Sequence, residues 1–312
     1  MQVKTKLFNW IGGKKWLSKD LNILFKKYKN KNITTYIEPF AGGLGSFIFT
    51  LPTLKEIGVK KVYLNDINTS LISTYKIIKT DPDIIYNAYI SIEKQYQKTI
   101  PKSAYLLHKT NDKKELRLLL QGANDFFIKK RLEFNKIKHK ESLKASALFL
   151  FLMQHCFNSV YRENNSGHFN SPYNWETGIP NFNLKKDNFK EYSDLFNSFD
   201  IEFYNESCFV FLERFKHIIH FSLLYCDPPY YNADKAENKY NENHFGKKEQ
   251  ILLLDYIKYF TYSAFSNHKD TMFTHFCKEN KFKNLTFHRS NIMSSKSTSR
   301  KDKVAETLAF KK

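Results

Sequence analysis

The sequence predicts an α/β fold, a doubly wound and mainly parallel sheet interrupted by a mostly helical insertion. Three observations carry that expectation. Residues 34–40 read as a strand entering a glycine-rich turn, Ala41-Gly42-Gly43-Leu44-Gly45, after which the apolar segment 46–51 opens a buried helix. Residues 60–66 supply a second strand and 69–79 a following helix, which completes the β-turn-α-β unit of a parallel sheet. Strand-like segments then return only after a long interval, at 201–204, 218–226, 259–265 and 284–289.

The interval has a different pattern. Long charged amphipathic stretches such as 113–138, and the strongly apolar 142–157, read as helices, whereas 158–180 holds too many Gly, Asn and Pro residues for one. The expected organisation is a discontinuous sheet domain, residues 1–80 and 200–312, around an insertion at 81–199. No internal repeat is visible, and the one biased tract is the Ser/Lys/Thr-rich 294–300.

Composition narrows the function classes. At 312 residues the chain can bury a substantial core without disulfide staples. Fifty Lys and Arg against 31 Asp and Glu leave a formal charge of +19, and 16% of the residues are aromatic. This favours a polyanionic partner, most simply nucleic acid, because phosphate contacts release counterions. A lysine-rich solvated surface has the same composition, so charge alone does not decide. Cys156, Cys208, Cys226 and Cys277 are dispersed without a C-x-x-C pair, which suggests reduced thiols rather than zinc ligands or disulfides. The N terminus lacks the apolar core of a signal peptide, and the longest apolar stretch, 145–153, is too short to span a bilayer. A soluble, cytoplasmic protein with no membrane partner is expected.

Two motifs point to a site. A glycine turn between strand and helix lets a ligand approach the backbone and the unpaired N–H groups of the helix start. Asp66 follows the turn by about 20 residues at the end of the next strand, where an acid can accept hydrogen bonds from ribose hydroxyls. The turn lacks both G-x-G-x-x-G spacing and a Gly-Lys-Ser/Thr ending, so neither a dinucleotide fingerprint nor a P-loop is present. The glycines by themselves are better explained by a tight turn alone; with Asp66 they favour a nucleoside cofactor.

The second motif ends the apolar run 221–226: Asp227-Pro228-Pro229-Tyr230. Consecutive prolines cannot continue a sheet ladder and hold the chain extended, so Asp227 is fixed at the carboxyl end of a strand, the edge where open α/β sheets bind ligands. A stiff surface turn is the plainer alternative, and the aromatic residue beside it argues against that.

With these motifs in view, the chain resembles the DNA adenine methylase family (D12 class) of N6-adenine DNA methyltransferases. Besides D-P-P-Y, residues 8–14 (Phe-Asn-Trp-Ile-Gly-Gly-Lys) resemble the family's W-x-G-G-K, Glu38-Pro39-Phe40 its E-P-F, and Asp66-Ile67-Asn68 its D-I-N. Arg131, Phe134-Asn135 and the segment 157–170 resemble patches of the family's recognition region, while Ser266-Asn267-His268 and 300–308 match its last strands. The resemblance covers nearly the whole chain. Against the family's F-x-G-x-G the turn is one residue longer, so Gly42 and Gly45 are both candidates for the cofactor contact. After Asn170, Ser171-Pro172-Tyr173-Asn174-Trp175 replaces V-P-F-G-R-Y-K, and the missing arginine argues against a GATC target.

The resemblance implies a Rossmann-like S-adenosylmethionine-dependent methyltransferase sheet with an inserted, mostly helical target-recognition domain. It places S-adenosyl-L-methionine among Trp10, Lys14, Phe40, Gly42, Gly45, Asp66 and Asp227. It makes Asp227, Pro228, Pro229 and Tyr230 the catalytic motif acting on an extruded adenine of double-stranded DNA, with no metal required. Arg131, Tyr161, Arg162 and Asn170 are the expected DNA-binding residues, with the turn 164–167 forming a hairpin that presents polar side chains to the major groove. A cognate restriction endonuclease is a candidate partner. RNA adenine or cytosine N4 as the acceptor, and an inactive DNA-binding relative, are the alternatives; Asp227 argues against cytosine, where such enzymes usually carry Ser, and the intact motif set argues against decay.

Overall fold

The computed structural model describes residues 6–10, 12–107, 113–175, 184–230, 245–269, 271–290 and 303–311. Ile11, Glu176, Tyr231, Asn232, the tract 294–300 and the pair Arg300-Lys301 lie outside the described residues.

In chain order the elements are α1 (Ser18–Lys26), β1 (Thr35–Glu38), α2 (Gly45–Glu56), β2 (Lys61–Asn65) and α3 (Thr69–Thr80). Then come α4 (Pro82–Gln97), α5 (Lys102–Leu107), α6 (Lys113–Leu119), α7 (Gln121–Lys136), α8 (Leu143–His155) and α9 (Lys186–Asn197). The last part holds β3 (Asp200–Tyr204), α10 (Cys208–Glu213), β4 (Ser222–Cys226), α11 (Lys247–Ile257), β5 (Tyr262–His268), α12 (Thr271–Glu279), β6 (Lys283–Ser290) and β7 (Lys303–Phe310).

The strands form one seven-stranded sheet in the order β3-β2-β1-β4-β5-β7-β6, parallel except for β7, which runs antiparallel to both its neighbours. Strand order therefore reverses between β1 and β4, whose pairing sets Ile37 opposite Leu224. At such a reversal the connections leave in opposite directions and open a crevice beyond the carboxyl ends of the two strands. The turn after β1 and the Asp227 motif after β4 both emerge there.

Helices cover both faces, so β4 is buried at every position, and its side chains alternate between two cores. Tyr36, Leu223 and Tyr225 face one core; Ile37, Leu224 and Cys226 face the other. The first core continues without a break into the insertion, through Phe127, Phe134 and the buried length of α8. Helix α8 packs on α3, α4 and α7, which explains why its sequence is apolar on every side. Caps mark the helix starts: Asn68 accepts from the N–H of Leu71, Asp81 from Ile84, and Ser142 from Ala145.

Several boundaries differ from the sequence expectation. The stretch 113–138 is two helices, broken at Leu120, with Gly122 seated so close to the carbonyl of Thr99 that a Cβ would lie 3.2 Å from it. Helix α2 continues through Pro52 to Glu56. Strand β4 starts at Ser222 because Lys216–Ile218 form a 3-10 turn, and β5 extends to His268 because β7 pairs along it. The hairpin around 164–167 has isolated bridges, Cys156 with Tyr173 and Glu163 with Phe169, rather than full strands. Among the described residues, no helix is long and apolar enough to cross a membrane.

Candidate active site

The carboxyl ends of β1, β2 and β3 are stitched together by one buried side chain. Asn65 donates to the carbonyls of Pro39 (3.0 Å) and Glu206 (3.1 Å) and accepts from the N–H of Glu206 (3.0 Å). The N–H of Ala41 reaches back to the Asn65 carbonyl at 2.8 Å. The glycine turn thus starts from a rigid seam, and sequence reasoning passed over Asn65 because it sits beside the more conspicuous Asp66.

Within the turn, Gly42 has φ +46° and Leu44 φ +60°. The Gly42 N–H donates to Asp66 Oδ2 at 2.9 Å, and its carbonyl accepts from the Tyr75 hydroxyl at 2.7 Å. The Trp10 side chain lies directly on the turn. A Cβ at Gly42 would come within 2.9 Å of Trp10 Cδ1 and Nε1, and one at Gly43 within 2.7 Å of Trp10 Cβ. Both glycines are therefore needed to admit the tryptophan, whatever else they contact. Gly45 opens α2 with its Cα against the backbone of Gly13 and Lys14. Phe40 is half-buried, its ring edge-on to Phe245 at 5.7 Å.

At the other side of the crevice, Lys14 is 5% and Asp227 16% exposed in their side chains, and Lys14 Nζ lies 2.9 Å from Asp227 Oδ1. Lys14 also donates to the Gly12 carbonyl (3.0 Å) and sits 4.9 Å from the centre of the Tyr230 ring. The Tyr230 hydroxyl donates to the same carboxylate oxygen at 3.1 Å, and its ring packs edge-on against His268 at 4.5 Å. Burial pushes the Asp227 carboxyl above the usual carboxylate range, and the Lys14 ammonium pulls it back. Asp66 is likewise raised by burial and held down by the backbone N–H groups of Asn68 and Gly42.

Between these two acids, at the end of β1, Glu38 is fully buried, with hydrogen bonds from the Tyr36 hydroxyl at 2.8 Å and from Ser46. Burial pushes its carboxyl up to about 8, opposed by the Ser46 and Tyr36 bonds and reinforced by the charges of Asp227 and Asp66. Asp66 and Asp227 thus place two acids at one sheet edge in a chain of net charge +19, with a Glu38 that burial holds protonated between them. Two carboxyl groups beside the indole of Trp10 suit a cationic cofactor.

The residues expected to meet DNA lie on the insertion. Arg131, on α7, donates to the Ser171 carbonyl at 3.0 Å, so one arm of its guanidinium braces the hairpin. Arg162 is exposed and held by Asn170, Nε to Oδ1 at 2.7 Å. Arg162, Glu163, Asn164, Asn165, Ser166 and Asn170 line an open polar hollow at the tip. Tyr161 departs from the expected presentation of polar side chains. Its ring turns inward, 6.0 Å from Trp10 and 23° from parallel, with Phe149 at 5.8 Å and Phe169 at 5.4 Å, because an apolar ring gains more there than in solvent.

A mostly parallel seven-stranded sheet with a glycine turn, an acid after β2 and Asp-Pro-Pro-Tyr after β4 at its switch point defines the methyltransferase class of α/β proteins. The profile of the D12 class N6 adenine-specific DNA methyltransferases matches residues 10–298, and the chain belongs to that family. It is similar to the type II methyltransferase M.MjaIII of Methanocaldococcus jannaschii, with 32% identity across 83% of this chain and 80% of the relative. It is also similar to the DNA adenine methylases of Haemophilus influenzae, 28% identical over 96% of this chain and 91% of the relative, and of Escherichia coli K12, 26% identical over 100% and 97%. The protein is an adenine-specific DNA methyltransferase acting at defined sites.

Proposed function

We propose that the methyl donor is S-adenosyl-L-methionine, held at the switch point by Trp10, Lys14, Phe40, Gly42, Gly45, Asp66 and Asp227, and that the acceptor is the N6 of an adenine extruded from double-stranded DNA. The observation that carries this reading is the Lys14–Asp227 contact of 2.9 Å, which draws the N-terminal W-x-G-G-K segment and the Asp227 motif into one site beside the glycine turn. Bound there, the cofactor supplies an electrophilic methyl group. The chain's own task is to make a poor nucleophile attack it.

The exocyclic nitrogen of adenine donates its lone pair into the ring. Asp227 and the Pro228 carbonyl, fixed by two prolines at the strand end, accept its two N–H groups and favour the tetrahedral nitrogen whose lone pair is free. Lys14 pulls the Asp227 carboxyl down against the rise that burial imposes, which favours its capacity to accept. Tyr230 offers a ring face to the base, and Pro229 sets its approach. A base stacked inside a duplex cannot reach Asp227, so extrusion is required.

Residues 81–199 serve as the target-recognition region, with residues 1–80 and 200–312 forming the catalytic part. The exposed Arg162 and Asn170 at the hollow of the hairpin are placed for base edges, and Arg131 for phosphate or for bracing. The names of relatives such as M.MjaIII support a place in a restriction-modification pair, with an endonuclease acting on the same site.

Incubation with unmethylated DNA and methyl-labelled S-adenosylmethionine, followed by digestion to nucleosides, is expected to place the label in N6-methyldeoxyadenosine. Label in N4-methylcytosine, or none in DNA, would reject the reading. Methylation sequencing of DNA from expressing cells gives the target.

A further inference from the structure

The hairpin has two backs. Arg162 and Tyr161 are adjacent on extended backbone, so their side chains leave in opposite directions. Arg162 goes out to the hollow with Asn170. Tyr161 goes in, and its ring covers the face of Trp10, whose side chain in turn lies on Gly42 and Gly43. The polar end of Tyr161 is spent inside the protein, since its hydroxyl donates to Glu163 Oε1 at 2.5 Å and also bonds the Asn68 side chain. A side chain in this position has neither a ring face nor a hydroxyl turned toward a DNA groove.

We infer that Tyr161 is a positioning residue of the cofactor side: it backs Trp10 and thereby holds the indole on the glycine turn. The inference rests on the reading that S-adenosylmethionine binds at that turn. It moves Tyr161 out of the DNA-reading set and gives the hairpin a second task, as the outer wall of the cofactor site.

The test is a split of kinetic constants. The full chain and its Tyr161→Leu, Tyr161→Met, Tyr161→Phe and Arg162→Ala variants are assayed on plasmid DNA from a methylation-free host, with S-adenosylmethionine and DNA varied in turn. Loss of one aromatic stack is expected to raise KM for S-adenosylmethionine about three- to tenfold in Tyr161→Leu. KM for DNA and the set of methylated sites stay as in the unaltered chain, and Tyr161→Phe restores the cofactor KM. Arg162→Ala shows the opposite split. Tyr161→Met is read in the same way, so a leucine variant that fails to fold leaves both outcomes available. A Tyr161→Leu or Tyr161→Met protein whose cofactor KM is unchanged while its DNA KM rises, or whose methylated sites shift, overturns the inference. Failure of the underlying reading looks different: the unaltered chain itself then transfers no methyl group to DNA, which overturns both.

Discussion

The sheet edge and the hairpin are both polar, but they are held in different ways. At the edge the bonds that join its parts come from far away in the chain: Lys14 is held by Asp227, Gly42 by Asp66, and Asn65 by Pro39 and Glu206. Most of these groups are out of solvent, where an unmade bond is costly and a made one is rigid. In the hairpin the bonds are mainly local. Asn164 caps its own turn by accepting from the N–H groups of Ser166 and His168, and Arg162 is tied to Asn170. From outside it is anchored by Asn135 and Arg131 on α7, by the Tyr161 ring on Trp10 and by the Tyr96 hydroxyl on that of Tyr173. The sheet edge is therefore fixed by the whole fold, whereas the polar tip of the hairpin is shaped mainly by its own turn while its apolar side, Phe169 and Tyr173, joins the core.

The comparison can be broken most sharply at Asp227. Asp227→Ala is expected to lower methyl transfer by ~10²–10³-fold, the scale of losing a preorganised polar contact to the reacting group, while DNA binding by gel shift persists. Near-normal turnover would remove the assigned role.

Next in size is the contact beneath Trp10. In Gly43→Ala the new methyl group meets Trp10 Cβ at 2.7 Å, close to the backbone and unable to swing aside. Denaturant unfolding should show a loss of about 1–3 kcal/mol, with a raised KM for S-adenosylmethionine. Full stability would mean that Trp10 is less tightly seated than the geometry requires.

The hairpin should respond differently. Asn135 both donates to and accepts from the backbone of Phe169 at 3.0 Å, imitating a strand partner. Asn135→Ala should cost roughly 1–2 kcal/mol and raise KM for DNA, with equilibrium binding of S-adenosylmethionine in the absence of DNA unaltered. An equal loss of cofactor affinity would show that the two regions are one unit.

The last test concerns Glu38 and reads stability against pH rather than turnover. Its carboxyl titrates near 4.5 when unfolded and is pushed up to about 8 when folded, so the folded state holds the proton more tightly. That contribution is fully present below 4.5 and is lost as pH rises through 8. Thermal denaturation at pH 5, 7 and 9 should show stability falling more steeply in the unaltered chain than in Glu38→Gln. Parallel curves would place an ionised Glu38 in the core.

Much of this was legible in the sequence for a local reason. Strands that alternate between two covered faces read as apolar runs, a proline pair can only end one, and the helix starts at Asn68, Asp81 and Ser142 carry their own caps. Motif residues were visible because their spacing is unusual. Asn65 was not singled out, and Glu38 entered only as part of the E-P-F motif without a role of its own, since a buried Asn or Glu looks like any other until its partners are known. The inward turn of the Tyr161 ring was not legible either, because a polar, turn-rich segment gives no sign of which side chain faces inward. The close approach of Gly122 to the turn at Thr99, beside the break at Leu120, is a contact that no single segment encodes.

What the sequence determined by itself is the set of elements, their turns and the chemical types gathered in the motifs, because propensity, periodicity and proline or glycine geometry act over a few residues. The tertiary structure alone decided that Lys14 should neutralise Asp227, that Trp10 should cover the glycine turn and that Tyr161 should back it. Those contacts join residues distant in the chain, 14 with 227, 10 with 42–43 and 10 with 161, and the first exists only once β4 lies beside β1.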